Sequence, residues 1–184
     1  MILTLIIGET GSGKSTLAKK LAFQYPNLCA YDIQNEYGLP VFNAKTANKK
    51  FQLPNNVYNF KDFVKFTKKL RGFCFIVEEA TGVLRGSVGT EFVQSILSKR
   101  HTQNRFIIIF HALHRVPPQL YEFADYIYLF KTQDLEKNIK SKYPKMLDSF
   151  DKLQKMPKYS NFKFKQTNLA NDNIQSQRRF SNMV

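Results

Sequence analysis

Residues 8 to 15 read Gly-Glu-Thr-Gly-Ser-Gly-Lys-Ser, a spacing that can wrap a chain of phosphates. Glycines at 8, 11 and 13 allow backbone turns closed to other residues, so successive N–H groups can point inward at phosphate oxygens. Lys14 then offers a cation to the β and γ phosphates and Ser15 a hydroxyl to magnesium, while the helix that follows presents its positive end. The expected nucleotide-binding set is Gly8, Glu9, Thr10, Gly11, Ser12, Gly13, Lys14, Ser15 and Thr16, with ATP and Mg2+ as the ligands.

A second group of chemical residues is Glu78-Glu79, delivered at the end of the apolar run Phe73-Cys-Phe-Ile-Val77. One carboxylate at a strand end can hold the magnesium shell, and its neighbour can orient or deprotonate a water that attacks the γ phosphate. We assign the metal to Glu78 with Ser15, and the water to Glu79. The first acid of such a pair is usually Asp, so Glu78 is a departure, and its longer arm can reach the metal through water.

These residues need strands that end at one edge of a sheet. Periodicity and breakers predict strands at 2 to 7, 28 to 33, 73 to 77, 105 to 110 and 126 to 130. Helices are predicted between them at 14 to 24, 60 to 69, 90 to 101 and 117 to 123. Alternating elements with strands apolar on both faces imply α/β architecture: a P-loop NTPase three-layer sandwich around a mostly parallel sheet. Ligands in such sheets bind beyond the carboxyl ends of the strands, where the residues above all fall. Residues 34 to 59 read as a long irregular connection. After the fifth strand, Asp134 is expected to cap a helix to Tyr143, Pro144 to open another to Met156, and Tyr159 to Gln166 to form a late strand. The ATPase domain is thus 1–166, closed by a short helical and strand extension, and 167–184 is a basic polar tail rich in Asn, Gln and Ser.

Bulk composition agrees with one folded domain. The chain has 184 residues, 43% hydrophobic and 23% charged, and its apolar runs fall far short of the roughly 20 residues a membrane helix needs. Met1 leads straight into a strand without a basic flank, unlike a signal peptide. Cys29 and Cys74 lie in apolar strands, which suits a reducing, cytoplasmic setting, and two cysteines with three histidines match no zinc spacing. Net charge is +14, and residues 131 to 184 hold 12 basic against 5 acidic side chains. Such a balance suits either a polyanionic partner, most simply nucleic acid, or a solvated lysine surface.

Tyr31-Asp32-Ile-Gln-Asn-Glu36-Tyr37-Gly38 resembles the end of the second strand in the FtsK–HerA superfamily. Arg100-His101-Thr102-Gln103-Asn104, Phe106 to Phe110, His111-Ala-Leu-His114-Arg115-Val-Pro-Pro118 and Ala124-Asp125-Tyr-Ile-Tyr-Leu-Phe130 resemble the small genome-packaging ATPases of membrane-containing viruses and phages. With the P-loop and the Glu-Glu strand these blocks span most of residues 1 to 130 in the same order. The resemblance implies a ring of six subunits that hydrolyses ATP to move DNA, in the host cytoplasm or on the virion, with a capsid or vertex protein as a further partner. It also implies an arginine supplied to the neighbouring subunit's site, best matched by Arg100, and a polar sensor after the fourth strand. His111 is nearest the strand end, whereas His114-Arg115 aligns with the family's Gln-Arg, and the sequence does not decide between them. Asp32 and Glu36 either touch the metal's water shell or fix the loop after the second strand.

Between Glu79 and the next helix, Ala80-Thr-Gly-Val-Leu-Arg85-Gly-Ser-Val-Gly89 reads as a glycine-rich loop with Arg85 as its nucleic-acid contact, or as an ordinary connection. Lysines alternate with aromatics over Lys155 to Lys165, which can combine charge with base stacking or form, as the simpler reading, a half-buried strand with an exposed lysine face, and Arg178-Arg179-Phe180 can equally anchor the protein to a capsid vertex. Two other readings compete. A P-loop kinase fits the length, but residues 111 to 150 contain only Arg115 for a phosphate-clamping lid. An assembly factor switched by ATP would need binding without turnover.

Overall fold

A computed structural model of the chain describes residues 2–42, 55–84, 86–98 and 103–165. Arg85, Arg100 and the 167–184 tail lie outside the described residues.

Six strands form one sheet: β1 (Ile2–Ile7), β2 (Leu28–Tyr31), β3 (Cys74–Val77), β4 (Arg105–Phe110), β5 (Tyr126–Phe130) and β6 (Asn161–Lys165). Their spatial order is β2-β3-β4-β1-β5-β6; all pair in parallel except β6, which runs antiparallel to β5. The helices are α1 (Lys14–Ala22), α2 (Phe60–Lys69), α3 (Ala80–Val83), α4 (Gly86–Ser98), α5 (Pro118–Phe123), α6 (Glu136–Lys142) and α7 (Leu147–Lys155), with short 3-10 turns at Leu113–Arg115 and Pro144–Met146. The mostly parallel sheet, the helices on its faces and the helix-helix-strand extension are as the sequence predicts.

The sheet is covered on both sides, which is why β1, β3 and β4 are apolar almost without interruption. Leu3, Leu5 and Ile7 of β1 face a core with Phe63 of α2, Phe92 of α4, Phe75 and Phe106. Ile6, Ile76, Ile107 and Ile109 face the other side, where the small Ala18 and Ala22 let α1 approach closely. In the first core Phe75 stacks on Phe106 at 5.3 Å and meets Phe63 edge-on at 5.8 Å, arrangements that add to plain area burial.

Register is what builds the site. Ile7 pairs with Phe110 and Val77 with Ile108, so β1, β3 and β4 finish close to one level and their following loops converge. Because β4 lies between β1 and β3, whatever follows β4 stands between the glycine loop and the acid pair.

Three local expectations change. β2 ends at Tyr31 rather than residue 33, because Asp32 turns inward. The glycine-rich stretch after Glu79 is not an open loop: it forms α3 and the first turn of α4. Gly89 permits this, since a Cβ there would stand 2.8 Å from Leu84 Cα, and the glycine that reads as a breaker is instead a close contact. Asp134 does not cap α6, which begins with Leu135 in the cap position; its carboxylate is turned into the protein.

Candidate nucleotide site

The glycine loop hangs between two neighbouring strands. Gly8 N–H donates to Phe110 O (3.0 Å) and Glu9 N–H to Lys131 O (2.8 Å), tying the loop to the ends of β4 and β5. A Cβ on Gly8 would fall 2.6 Å from Phe130 Cβ, so no larger residue fits. Gly13, with φ 97°, turns the chain in a left-handed step into α1. That turn puts the helix N-terminus and its unpaired N–H groups beside the loop.

Lys14 is buried, and its Nζ donates to Glu9 O at 2.7 Å. Burial pushes its pKa down, against the opposing pull of Glu78, Glu36, Glu79 and Glu9. A dehydrated cation resting on a neutral carbonyl gains when an anionic phosphate replaces that carbonyl.

Ser15 Oγ donates to Glu78 Oε1 at 3.2 Å, which unites the two residues assigned to the metal. Glu78 Oε2 accepts from Tyr37 Oη at 2.7 Å. Burial, with the charges of Glu36 and Asp32, raises the Glu78 carboxyl to about 7 in spite of the hydrogen bonds from Tyr37 and Ser15. A hydroxyl and a carboxylate, both hard oxygen donors and held where burial disfavours an uncompensated negative charge, suit magnesium. Ser15 and Glu78 are the residues that would hold it.

Asp32 is fully buried and braces the loop: its Oδ2 accepts from Tyr37 N–H (3.0 Å) and its carbonyl from Asn56 Nδ2 (3.0 Å). The loop-fixing alternative for Asp32 is therefore the one the contacts support. Glu36 is exposed and acts on Glu78 and Lys14 through its charge. Sequence reasoning gave Tyr37 no role, although it stands in the quoted Asp-x-x-x-Glu-aromatic stretch. Its hydroxyl orients the Glu78 carboxylate.

Glu79 occupies left-handed backbone, φ 52° and ψ 45°, at the start of α3. Its side chain is 58% exposed and its Oε1 lies 3.3 Å from His111 Nε2, while His111 N–H reaches Thr81 Oγ1 at 3.5 Å. The geometry brings His111, directly after β4, to the second acid. His114 is occupied elsewhere. Asp134 accepts from Leu113 N–H (2.7 Å) and His114 N–H (3.0 Å), and its Oδ1 lies 2.5 Å from His114 Nδ1. Arg115 Nε donates to His114 Nε2 at 2.9 Å. A guanidinium can only donate, so His114 Nε2 accepts and Nδ1–H donates to Asp134, which fixes one neutral tautomer. Burial raises the Asp134 carboxyl, and the bonds from His114 and Leu113 outweigh it, leaving its pKa below the ordinary value. Asp134 is a second residue that sequence reasoning misassigned, because an Asp just before a helix reads locally as a cap.

Sheet order, phosphate loop and paired strand-end acids define the class: this is a P-loop NTPase fold. Among solved structures the chain is similar to the genome packaging NTPase B204 from Sulfolobus turreted icosahedral virus 2 in complex with ATP-gammaS, with TM-score 0.71 and 16% identity over 96% of each chain. It is similar also to B204, the DNA-packaging ATPase from Sulfolobus Turreted Icosahedral Virus, with TM-score 0.69, 19% identity and coverage of 96% of this chain and 97% of that one. The N-terminal domain of zonular occludens toxin from Neisseria meningitidis is similar at TM-score 0.54 and 18% identity, over 97% of this chain and 95% of that one. At these identities the likeness is one of fold. No protein-family profile and no curated sequence matches the chain. Among the described residues no helix is long and apolar enough to cross a membrane.

Proposed function

We propose that this chain is an ATP-hydrolysing DNA translocase of the genome-packaging kind, working as a ring of six subunits in the host cytoplasm or on the virion. The observation that carries the reading is the pairing of Glu79 with His111 beside the Ser15–Glu78 pair, on a fold shared with a DNA-packaging ATPase. The loop N–H groups and Lys14 bind the triphosphate. Ser15 and Glu78 would hold magnesium, which would supply positive charge to offset that of the phosphate oxygens. Glu79 takes a proton from a water whose oxygen bonds to the γ phosphorus as the bond to the bridging oxygen breaks, giving ADP and phosphate. His111 holds the Glu79 carboxylate and links it to the end of β4.

Arg100 of one subunit is proposed to complete the neighbour's site, neutralising charge that develops on the γ phosphate. Arg85 and the net charge of +14 are proposed to supply contacts to the DNA backbone. The tail's Arg178-Arg179 is proposed to meet a capsid or vertex protein.

The test is phosphate release with and without duplex DNA, together with a solution mass. DNA-stimulated turnover in an oligomer is the expected result, and Arg100→Ala should then lose about a thousandfold of the assembled activity. Transfer of phosphate to a small acceptor by a monomer would make the chain a kinase. Nucleotide-dependent oligomers without turnover would make it an assembly switch.

A further inference from the structure

The segment between α7 and β6 lies against the phosphate loop. A Cβ placed on Gly13 would stand 3.3 Å from Tyr159 Cδ1 and 3.6 Å from Phe130 Cε1, and one on Gly11 would stand 3.3 Å from Lys158 Nζ. Two residues of a turn far along the chain thus flank the glycines of the loop, one with an aromatic ring and the other with an ammonium.

The turn is built to stay there. Ser160 N–H donates to Pro157 O at 3.0 Å, closing it. Just before it, Lys131 Nζ donates to Gln154 O (3.2 Å) and Gln154 Nε2 donates to Thr132 O (3.1 Å), tying the end of α7 to the segment after β5. Lys131 O is also the acceptor for Glu9 N–H of the phosphate loop, so turn and loop share one frame.

Packing alone does not account for either side chain. A tyrosine recruited to fill space over Gly13 would be covered, yet Tyr159 is 59% exposed. No carboxylate among the described residues pairs with Lys158, whose ammonium sits over Gly11. An exposed aromatic face and a cation with no carboxylate partner among the described residues, both at the rim of a loop suited to phosphates, are the two halves of a nucleotide-recognition surface.

We propose that Tyr159 and Lys158 form the base end of the nucleotide site: the purine of a bound nucleoside triphosphate stacks on the Tyr159 ring, and Lys158 pairs with its phosphate chain. This rests on the phosphate-loop reading of Gly8 to Ser15. The C-terminal extension is then part of the ligand site.

The experiment compares two probes by calorimetry on the full chain, ATPγS with magnesium and inorganic tripolyphosphate with magnesium. Tyr159→Ala should weaken ATPγS about tenfold while leaving tripolyphosphate unchanged, since only the base is lost. Tyr159→Phe should keep ATPγS affinity within about twofold, because the ring face does the stacking. Lys158→Ala should weaken both probes by a similar factor, about threefold to tenfold. Thermal melts of all variants should match the parent, as both residues lie in an exposed turn. Unchanged ATPγS affinity in Tyr159→Ala, or equal losses of both probes in that variant, overturns the subsite while leaving the phosphate loop standing. A parent chain that binds neither probe overturns the phosphate-loop reading and the subsite with it.

Discussion

Replacing Glu79 by glycine should separate stability from activity. Glu79 sits at φ 52°, a left-handed conformation that costs a residue with a Cβ about 1–2 kcal/mol. Glycine removes that strain but loses more entropy on folding, about 0.5–1 kcal/mol. The Glu79–His111 contact, exposed on both sides, adds roughly 0–1 kcal/mol to the parent after solvent screening. These terms nearly cancel, so Glu79→Gly should melt within about 3 °C of the parent. Glu79→Ala keeps the strain and loses the carboxylate, and should fall below the glycine variant by about 1 kcal/mol, the reverse of the usual helix order. Turnover should fall in both by about a hundredfold to ten-thousandfold, the usual worth of a positioned general base, while ATPγS still binds. Thermal melts and phosphate release at saturating magnesium nucleotide read the two effects. An alanine variant more stable than the glycine one would refute the backbone argument, and parent-level turnover in either would remove Glu79 from the chemistry.

Glu78 gives a pH signature. Its carboxyl is raised to about 7 by burial, so the folded state holds the proton more tightly than the unfolded one. The associated stability is fully present below the ordinary carboxyl range and declines as pH rises towards 7, by on the order of 3 kcal/mol. Metal-free urea melts from pH 4 to 8 should show that decline, Glu78→Gln should flatten it, and an unchanged slope would refute the burial argument. Asp134 works with the opposite sign: its lowered pKa means a contribution present above the ordinary carboxylate range and lost as pH falls through the folded value. Asp134→Ala strips acceptors from Leu113 N–H, His114 N–H and His114 Nδ1, and should cost roughly 3 kcal/mol at pH 7 in a urea melt, with a smaller difference from the parent at pH 3.

What could be read from the sequence follows the range of the interaction. Phe106 to Phe110 is apolar throughout because both faces of β4 are covered, and Gly8 to Ser15 carries its geometry in glycines a few residues apart. Sheet order is not local: alternation predicts parallel strands but not that β4 sits between β1 and β3, the placement that puts His111 beside Glu79. Tyr37 and Glu78 are 41 residues apart, and nothing near either announces the bond between them. Gly82, Gly86 and Gly89 read as a loop because glycine is ambiguous between freedom and close approach. Only the contact of Gly89 with Leu84 decides. Lys158 and Tyr159 were visible as lysine and aromatic in a strand-like repeat, but their nearness to Gly11 and Gly13 depends on the return of β6 beside β5.

The two histidines after β4 show how a carboxylate can assign a role by occupation. The resemblance noted in the sequence favours His114, which stands before Arg115; position at the strand end favours His111. Asp134 is fully buried and accepts from two backbone N–H groups of the 3-10 turn as well as from His114 Nδ1. Removing His114 from that set would leave a buried charge with less compensation, so the histidine is held where it is by the cost of freeing it. Arg115 covers its remaining nitrogen. His111 carries no such obligation, and its Nε2 faces the Glu79 carboxylate. The His111 ring meets the Glu79 carboxylate at Nε2, and its backbone N–H reaches Thr81 Oγ1 on α3, so one residue joins the end of β4 to both. His114 with Asp134 is thereby part of the fixed frame, and His111 is the histidine left to face the acid pair.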